Sequence, residues 1–380
     1  MIGPLPFLVM WLTGLLAVAL PIAVVWLGLE WRDDLVREDW KLWLALGLSA
    51  LALFGRLPLT LLVLRGDRRP PHAEREADRR RVAAPDGGEL EVETCGRPDG
   101  PTLVFTHGWG LNATVWDDAK RDLGDRFRIV TWDLPGLGRS KPGAGGESLD
   151  AFADALRAVV ASVGGSVVLV GHSIGGMTIL TYARRHAETL GREVAGVALV
   201  NTTYTSPDRT MLGRVLWKKL RGPLIIPLMR LSVVLSPLLW LQNWMSYLNG
   251  SMHMAHRLLG FGRHATRQRV ELSARLAAKG SPAVQARGNI AMLRWDASDV
   301  PPTLAVPTLV LTGGRDLITQ EDAGQKIAAE APGATLTRFD DAGHMGFLER
   351  PEDYDRAIGD FAERAFAALA PGSATAPRAA

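Results

Sequence analysis

The sequence predicts an α/β chain: a mostly parallel sheet flanked by helices, with a helical insertion, preceded by a transmembrane helical hairpin. Three observations carry that prediction. Short β-branched runs alternate with longer helical patterns after residue 82. A strand, a glycine-flanked serine and a helix follow one another at 167–186. The first 29 residues contain no charged side chain. Alternation of this kind builds parallel sheets covered by helices. A charge-free run of about 20 residues or more is long enough to cross a bilayer.

The first segment, 1–64, reads as a helical hairpin. Leu5 to Leu29 is apolar throughout, and a second apolar run, Leu42 to Leu64, follows the charged connector Glu30 to Lys41. Arg56 and Pro58 interrupt the second run. Arg56 is close enough to its end for the long side chain to snorkel to the interface. Lys and Arg near the ends set orientation. The connector holds Arg32, Arg37 and Lys41, whereas seven arginines follow the second run, between Arg65 and Arg81. Both termini and the catalytic domain are therefore expected in the cytoplasm. A cleaved signal peptide ending near Ala17-Val18-Ala19 is the rival, but no Lys or Arg precedes it and a second apolar run follows. Residues 65–81 read as a basic linker, whose arginines could rest on anionic headgroups or simply be solvated.

From residue 82 the strands are expected at Leu90–Thr94, Thr102–Thr106, Arg128–Trp132, Val167–Val170, Val194–Val200, Thr308–Leu311 and Ala334–Phe339. Each run suits a buried strand and is too short for most helices. Helical patterns lie between, as at Leu149–Val163 and Gly176–His186. The expected division is 82–202 for the first part of the core, 203–300 for an inserted cap, 301–368 for the rest of the core and 369–380 for a flexible tail.

Composition narrows the function. Hydrophobic residues are 47% and charged residues 22%, which suits a folded chain. A single cysteine, Cys95, excludes an internal disulfide framework and a thiolate metal cluster. Net charge is +3, yet residues 203–300 alone hold fourteen basic and four acidic side chains. That positive block is internal, so nothing here reads as a nucleic-acid-binding tail.

The chemistry sits in Gly171-His172-Ser173-Ile174-Gly175. A G-x-S-x-G run between a strand and a helix forms a turn so tight that the flanking residues must be small, and it lifts the serine to the strand end. A serine hydroxyl needs an adjacent base. Among the eight histidines, His344 follows the last expected strand on a glycine-flanked loop. His107 and His172 belong to local motifs with structural roles, His186, His253, His256 and His264 lie on helical or basic stretches, and His72 is in the linker. An acid must hold the imidazole in one tautomer. Asp316 follows the strand Thr308–Leu311; Asp340 and Asp341 are too close to the histidine loop, and Asn201 stands where the preceding strand could have offered an acid. Two backbone amides should form an oxyanion hole: that of Ile174 and that of Trp109, in the loop after Thr102–Thr106.

Through the motifs H-G-W-G at 107–110, D-L-P-G-L-G-R-S at 133–140, G-H-S-I-G-G at 171–176, G-G-R-D at 313–316 and G-H-M-G-F-L-E-R-P at 343–351, residues 82 to 368 resemble the α/β-hydrolase-fold proteins. The resemblance implies Ser173, Asp316 and His344 as a triad, and Asp133 and Arg139 as loop-shaping residues. It also argues against epoxide hydrolase and haloalkane dehalogenase chemistry, because those relatives carry Asp where this chain has Ser173. The insertion between Val200 and Val306 resembles a cap. From Gly222 to Leu248 it holds one charge, Arg230, with Trp240, Trp244 and Tyr247. Its apolar residues are expected to pack beneath the cap over an apolar pocket; the second reading is contact with an anionic bilayer surface. Pro223, Pro227 and Pro237 argue against a third span.

The expected activity is hydrolysis of esters of hydrophobic acyl groups through an acyl-enzyme, with membrane lipids as neighbours and no metal or organic cofactor. Acyl transfer, perhydrolysis and a non-catalytic membrane scaffold are the alternatives.

Overall fold

The computed structural model describes residues 4–33, 39–67 and 77–369. His72, Arg68, Arg69, Arg75 and the tail from residue 370 lie outside them. The described residues form eight strands in one sheet: β1 Asp78–Ala83, β2 Glu89–Gly96, β3 Thr102–Thr106, β4 Arg128–Trp132, β5 Val167–His172, β6 Val194–Val200, β7 Thr308–Gly313 and β8 Thr335–Phe339. Their order is β1-β2-β4-β3-β5-β6-β7-β8. β1/β2 and β2/β4 pair antiparallel, and every other pair is parallel.

The central strands β3 to β7 fold as largely apolar runs because both faces are covered. Along β5, Val167 and Leu169 face one core cluster, while Val168 and Val170 face the other. Helices α1 Pro4–Asp33, α2 Asp39–Phe54 and α3 Arg56–Val63 precede the sheet. Then α4 Asp117–Leu123 covers the second face, and α5 Leu149–Val163 and α6 Ile174–Arg185 cover the first. Helix α5 is set by its sequence. Ser148 caps it by accepting from Ala151 N at 3.2 Å, and Phe152, Leu156, Val159 and Val163 recur along its buried stripe. Gly164 ends it at φ 70°. Burial of each large side chain in that stripe stabilises the fold by about 1.5–3 kcal/mol.

Between β6 and β7 the chain inserts α7 Arg214–Leu220, α8 Ile226–Val234, α9 Ser236–Leu248, α10 Ser251–Gly260, α11 Arg267–Lys279 and α12 Pro282–Arg294. After β7 come α13 Glu321–Glu330, α14 Gly346–Glu349 and α15 Pro351–Leu369. Proline shapes the insertion: Pro227 and Pro237 lie in the first turns of α8 and α9, where the missing N–H is harmless. The axis turns by 97° between α8 and α9, so neither helix is a straight span.

Helix α1 is long and apolar enough to cross a membrane. The second apolar run differs from the single helix expected: it bends by 68° between α2 and α3. Gly55 sits at the bend, where an added Cβ would lie 2.4 Å from Leu51 O and 2.8 Å from Asn249 O. The close approach of the α9–α10 junction, rather than Pro58 alone, breaks the run. Arg56 has protein partners instead of a free end: its guanidinium donates to the Tyr247 hydroxyl and lies 3.6 Å from Glu271 Oε1.

The basic linker is also shorter than expected. Arg65 O accepts from Arg267 N at 2.8 Å, and residues 78–81 already belong to β1. Arg79 pairs with Glu93, Arg80 donates to Ser162 O and Arg81 pairs with Glu89 and Glu91. These three arginines bind protein groups. The apolar residues of the insertion divide. Tyr247 and Leu239 are buried, but Leu231, Val234, Leu238, Trp240 and Leu241 are exposed, against the expectation that they pack beneath the helices.

Candidate active site

The strand order decides where the predicted residues meet. β3, β5, β6, β7 and β8 run parallel and adjacent, so the loops after them gather at one edge of the sheet. Ser173 follows β5, Asp316 follows β7 and His344 follows β8. The structure brings all three together. Ser173 Oγ lies 2.9 Å from His344 Nε2, and His344 Nδ1 lies 2.8 Å from Asp316 Oδ2. With Nδ1–H donating to the carboxylate, Nε2 is free to accept the serine proton.

Each member is held from behind. Ser173 adopts φ 57°, ψ −118°, a backbone region that non-glycine residues avoid. The strain is fixed on both sides: Ser173 N donates to Val200 O at 2.9 Å, and Gly176 N and Met177 N donate to Ser173 O at 2.9 and 3.1 Å. Thr202 Oγ1 adds a bond of 2.6 Å to the same carbonyl. The turn is too crowded for side chains. A Cβ on Gly171 would lie 2.5 Å from Gly175 C, and one on Gly175 would lie 2.4 Å from Thr106 O. Asp316 Oδ1 accepts from Ile318 N and Thr319 N, each at 2.8 Å, and its Oδ2 accepts from Thr319 Oγ1 at 2.8 Å and Asn201 Nδ2 at 3.2 Å. Four donors besides the imidazole hold this buried carboxylate in place and aim it at His344.

His344 is positioned by its loop. Its carbonyl accepts from His172 Nε2 at 2.9 Å. Glu349 accepts from Gly343 N at 2.7 Å, Gly262 N at 2.8 Å and His264 N at 3.0 Å. Burial nevertheless raises its carboxyl above the usual range, against the pull of those amides. Glu349 thereby ties the histidine loop to the chain between α10 and α11.

Ile174 opens α6, directly after the serine, and its N–H is among the first amides of the helix, which lack carbonyl partners within it. Trp109 lies buried in the loop after β3, with its indole Nε1 donating to Gln285 O of α12 at 3.2 Å. Gly108 rests on the His172 ring, where a Cβ would lie 2.5 Å from Nδ1. The remaining motif residues brace this edge. Asp133 accepts from Ala113 N and Arg139 N, each at 2.8 Å, whereas the Arg139 side chain is exposed toward Glu91. His107 Nε2 accepts from Leu134 N at 3.0 Å while Nδ1 donates to Gly108 O. Burial holds both His107 and His172 below the ordinary imidazole value, so both are neutral.

Sequence reasoning missed Asn201. It follows β6, which lies between the serine strand and the aspartate strand, and it adopts φ 44°. Its Nδ2 donates to Asp316 and to Gly343 O, each at 3.2 Å, and its Oδ1 accepts from Tyr354 OH at 3.1 Å. Asparagine tolerates the left-handed region better than most residues, which was the available signal. Thr319, Thr202 and Glu349 were also missed. Among the described residues no cluster of His, Cys, Asp and Glu is arranged to hold a metal ion.

A parallel sheet with a strained serine at the end of a central strand, bonded to a histidine and an acid from later strands, defines a hydrolase architecture. The chain belongs to the alpha/beta hydrolase family, whose model matches residues 103–357. It is 30% identical over 283 residues to the pimeloyl-[acyl-carrier protein] methyl ester esterase of Chromobacterium violaceum, covering 72% of this chain and 98% of that protein. In structure it resembles a thermophilic esterase from Thermogutta terrifontis, with a TM-score of 0.62 and 24% identity, over 76% of this chain and 99% of the other. It likewise resembles a bacterial membrane phospholipase A, with a TM-score of 0.59 and 22% identity, over 76% and 87% of the two chains. At these identities the structural likenesses speak for the fold alone.

Proposed function

We propose that this protein is a membrane-anchored serine hydrolase that cleaves carboxylic esters of hydrophobic acyl groups. The observation that carries the reading is the hydrogen-bonded chain from Ser173 Oγ through His344 to Asp316. Ser173 Oγ attacks the ester carbonyl as His344 Nε2 takes its proton. The negative oxygen is stabilised by the N–H groups of Ile174 and Trp109. His344 returns the proton to the leaving alcohol, and water, activated by the same imidazole, releases the acid. Asp316 holds the imidazole in one tautomer and stabilises the imidazolium.

The relative from Chromobacterium violaceum supports ester cleavage, since its name specifies a methyl ester on an acyl chain. Anchoring rests on α1. Two spans, with the catalytic domain in the cytoplasm, follow from the Lys and Arg counts around the apolar runs.

The test is a panel of p-nitrophenyl esters of increasing acyl length, run on the detergent-purified protein and on Ser173→Ala. The variant is expected to lose about a millionfold in kcat, the scale seen when a triad nucleophile is removed. Rates of the parent should rise with acyl length. Equal rates in the two proteins would remove Ser173 as nucleophile, and a preference for acetate would remove the hydrophobic acyl group.

A further inference from the structure

The exposed apolar surface of the inserted helices is continuous with α1. The helix runs 30 residues, about 45 Å at ~1.5 Å per residue. A hydrocarbon core of about 30 Å needs only ~20 of them. Counted back from Leu29, the last residue before the first charge, the span begins at Met10. The insertion touches α1 inside that span. Trp11 Nε1 donates to Ser232 Oγ of α8 at 3.2 Å, Ser246 Oγ of α9 reaches Thr13 O at 3.4 Å, and the Gln242 amide fills the space beside Gly14. Gly14 lies about 6 Å below the start of the span at ~1.5 Å per residue. Helices that meet α1 at that depth cannot stand clear of the bilayer.

Their outward side chains suit the location. Val215, Val234 and Leu238 are 69%, 76% and 66% exposed, and Leu216, Leu231, Trp240 and Leu241 are exposed beside them. Such a set exceeds the scattered apolar residues of a water-facing surface. Lys218, Lys219 and Arg230 are exposed on the same helices. Apolar side chains with interspersed cations are the composition of a helix lying in an anionic interface. The second apolar run reaches the same place. Helix α2 spans about 24 Å at ~1.5 Å per residue, and α3 turns away against α9–α10 with Leu57, Leu61 and Leu62 outward.

We propose that α7, α8 and α9 form a second membrane contact, lying in the leaflet that α1 enters, with Lys218, Lys219 and Arg230 at the level of anionic headgroups. The inference rests on α1 as a membrane span and deepens the proposed function by placing the site under a lipid surface. A cleft at the seam is lined by Met10 and Trp11 of α1, Leu239 and Gln242 of α9, and Gln285 and Asn289 of α12. Gln285 is the residue whose carbonyl holds Trp109. The leaflet and the loop after β3 are thus one helix apart, and the substrate class is an ester that partitions into the bilayer.

Nitroxide labels on full-length protein test this in vesicles of phosphatidylcholine and phosphatidylglycerol. Cys95 is the native cysteine and is buried, so single labels at Val234→Cys and Leu238→Cys are clean. Leu16→Cys on α1 and Leu336→Cys on β8, both exposed, serve as the lipid and water references. The expected result is that both labels of the insertion are relaxed by oxygen and shielded from a water-soluble nickel chelate, several-fold more than Leu336→Cys. Nickel access equal to that of Leu336→Cys, with Leu16→Cys shielded, would overturn the contact while leaving the span. Nickel access at Leu16→Cys would overturn the span as well. Shielding from both reagents with dipolar broadening would overturn the lipid assignment in favour of a second copy of the chain. Each reading is independent of esterase activity.

Discussion

At the scale of single residues, Ser173 Oγ, the His344 ring and the Asp316 carboxylate form one hydrogen-bonded chain. Ser173, Asp316 and His344 can be read because a nucleophile, an acid and a base must follow particular strands in order, and glycines mark two of the turns. Asn201 cannot be read the same way. Its role depends on a backbone turn and on Tyr354, which lies 153 positions away. The histidines show the same division. His107 and His172 were placed as structural from their motifs, but His256 gave no signal. It is fully buried in α10, where its Nδ1 bonds Ser273 Oγ at 3.0 Å, and burial lowers its pKa to about 3. An imidazole kept neutral by the fold binds a proton more readily when unfolded. Stability must therefore fall as pH drops below the unfolded value of about 6.5. The loss continues until the folded pKa near 3 is reached. For each such histidine the slope is about 1.4 kcal/mol per pH unit. Thermal midpoints measured from pH 7 to pH 4 should decline less steeply in His256→Asn, which retains a group at the Nδ1 position. An unchanged slope would mean that His256 is charged in the folded protein.

At the scale of elements, strands β3 to β7 were legible because each is a largely buried, β-branched run between turn residues. β1 was not. Its sequence, Asp78 to Ala83, is half arginine, and such a run reads as solvated linker. It is a strand because it lies at the sheet edge, where Glu89, Glu91 and Glu93 of β2 pair with Arg79 and Arg81 while Arg80 donates to Ser162. The bend at Gly55 was likewise hidden, since it is caused by the α9–α10 junction rather than by local propensity. The insertion and the site meet through another glycine. A Cβ on Gly288 of α12 would lie 2.0 Å from Trp109 Cζ2, so Gly288→Ala must push the indole and its loop aside. Displacing a positioned loop by about 1 Å can reduce catalysis by about a hundredfold. Gly288→Ala is expected to lower kcat by about 10- to 100-fold while overpacking lowers stability by about 1–3 kcal/mol. Steady-state kinetics beside thermal unfolding check this. Full activity would separate Trp109 from the oxyanion site.

At the scale of the whole molecule, the apolar runs and the arginine-rich segment after them predict a hairpin whose ends share one side of the membrane. The folded chain makes that arrangement mechanically demanding. α1 begins against α8 and α9, while α3 is tied to α11 at both ends, through Arg56 and Glu271 at its start and through Arg65 and Arg267 just past its end. The start of α1 and the far end of the second apolar run are therefore both fixed to the inserted helices. The connector near residue 35 can reach the far side only if α1 and α2 both cross. In intact cells an impermeant maleimide should label Leu35→Cys and leave Leu336→Cys on β8 unlabelled until the membrane is opened. Buried Cys95 contributes little background. The opposite pattern would invert the orientation, so that the arginines after the second run would lie outside, against the charge rule. Labelling of both positions from one side would mean that α1 and α2 do not carry the connector across. The docking of both ends on the insertion would then describe a chain lying wholly on one face of the bilayer.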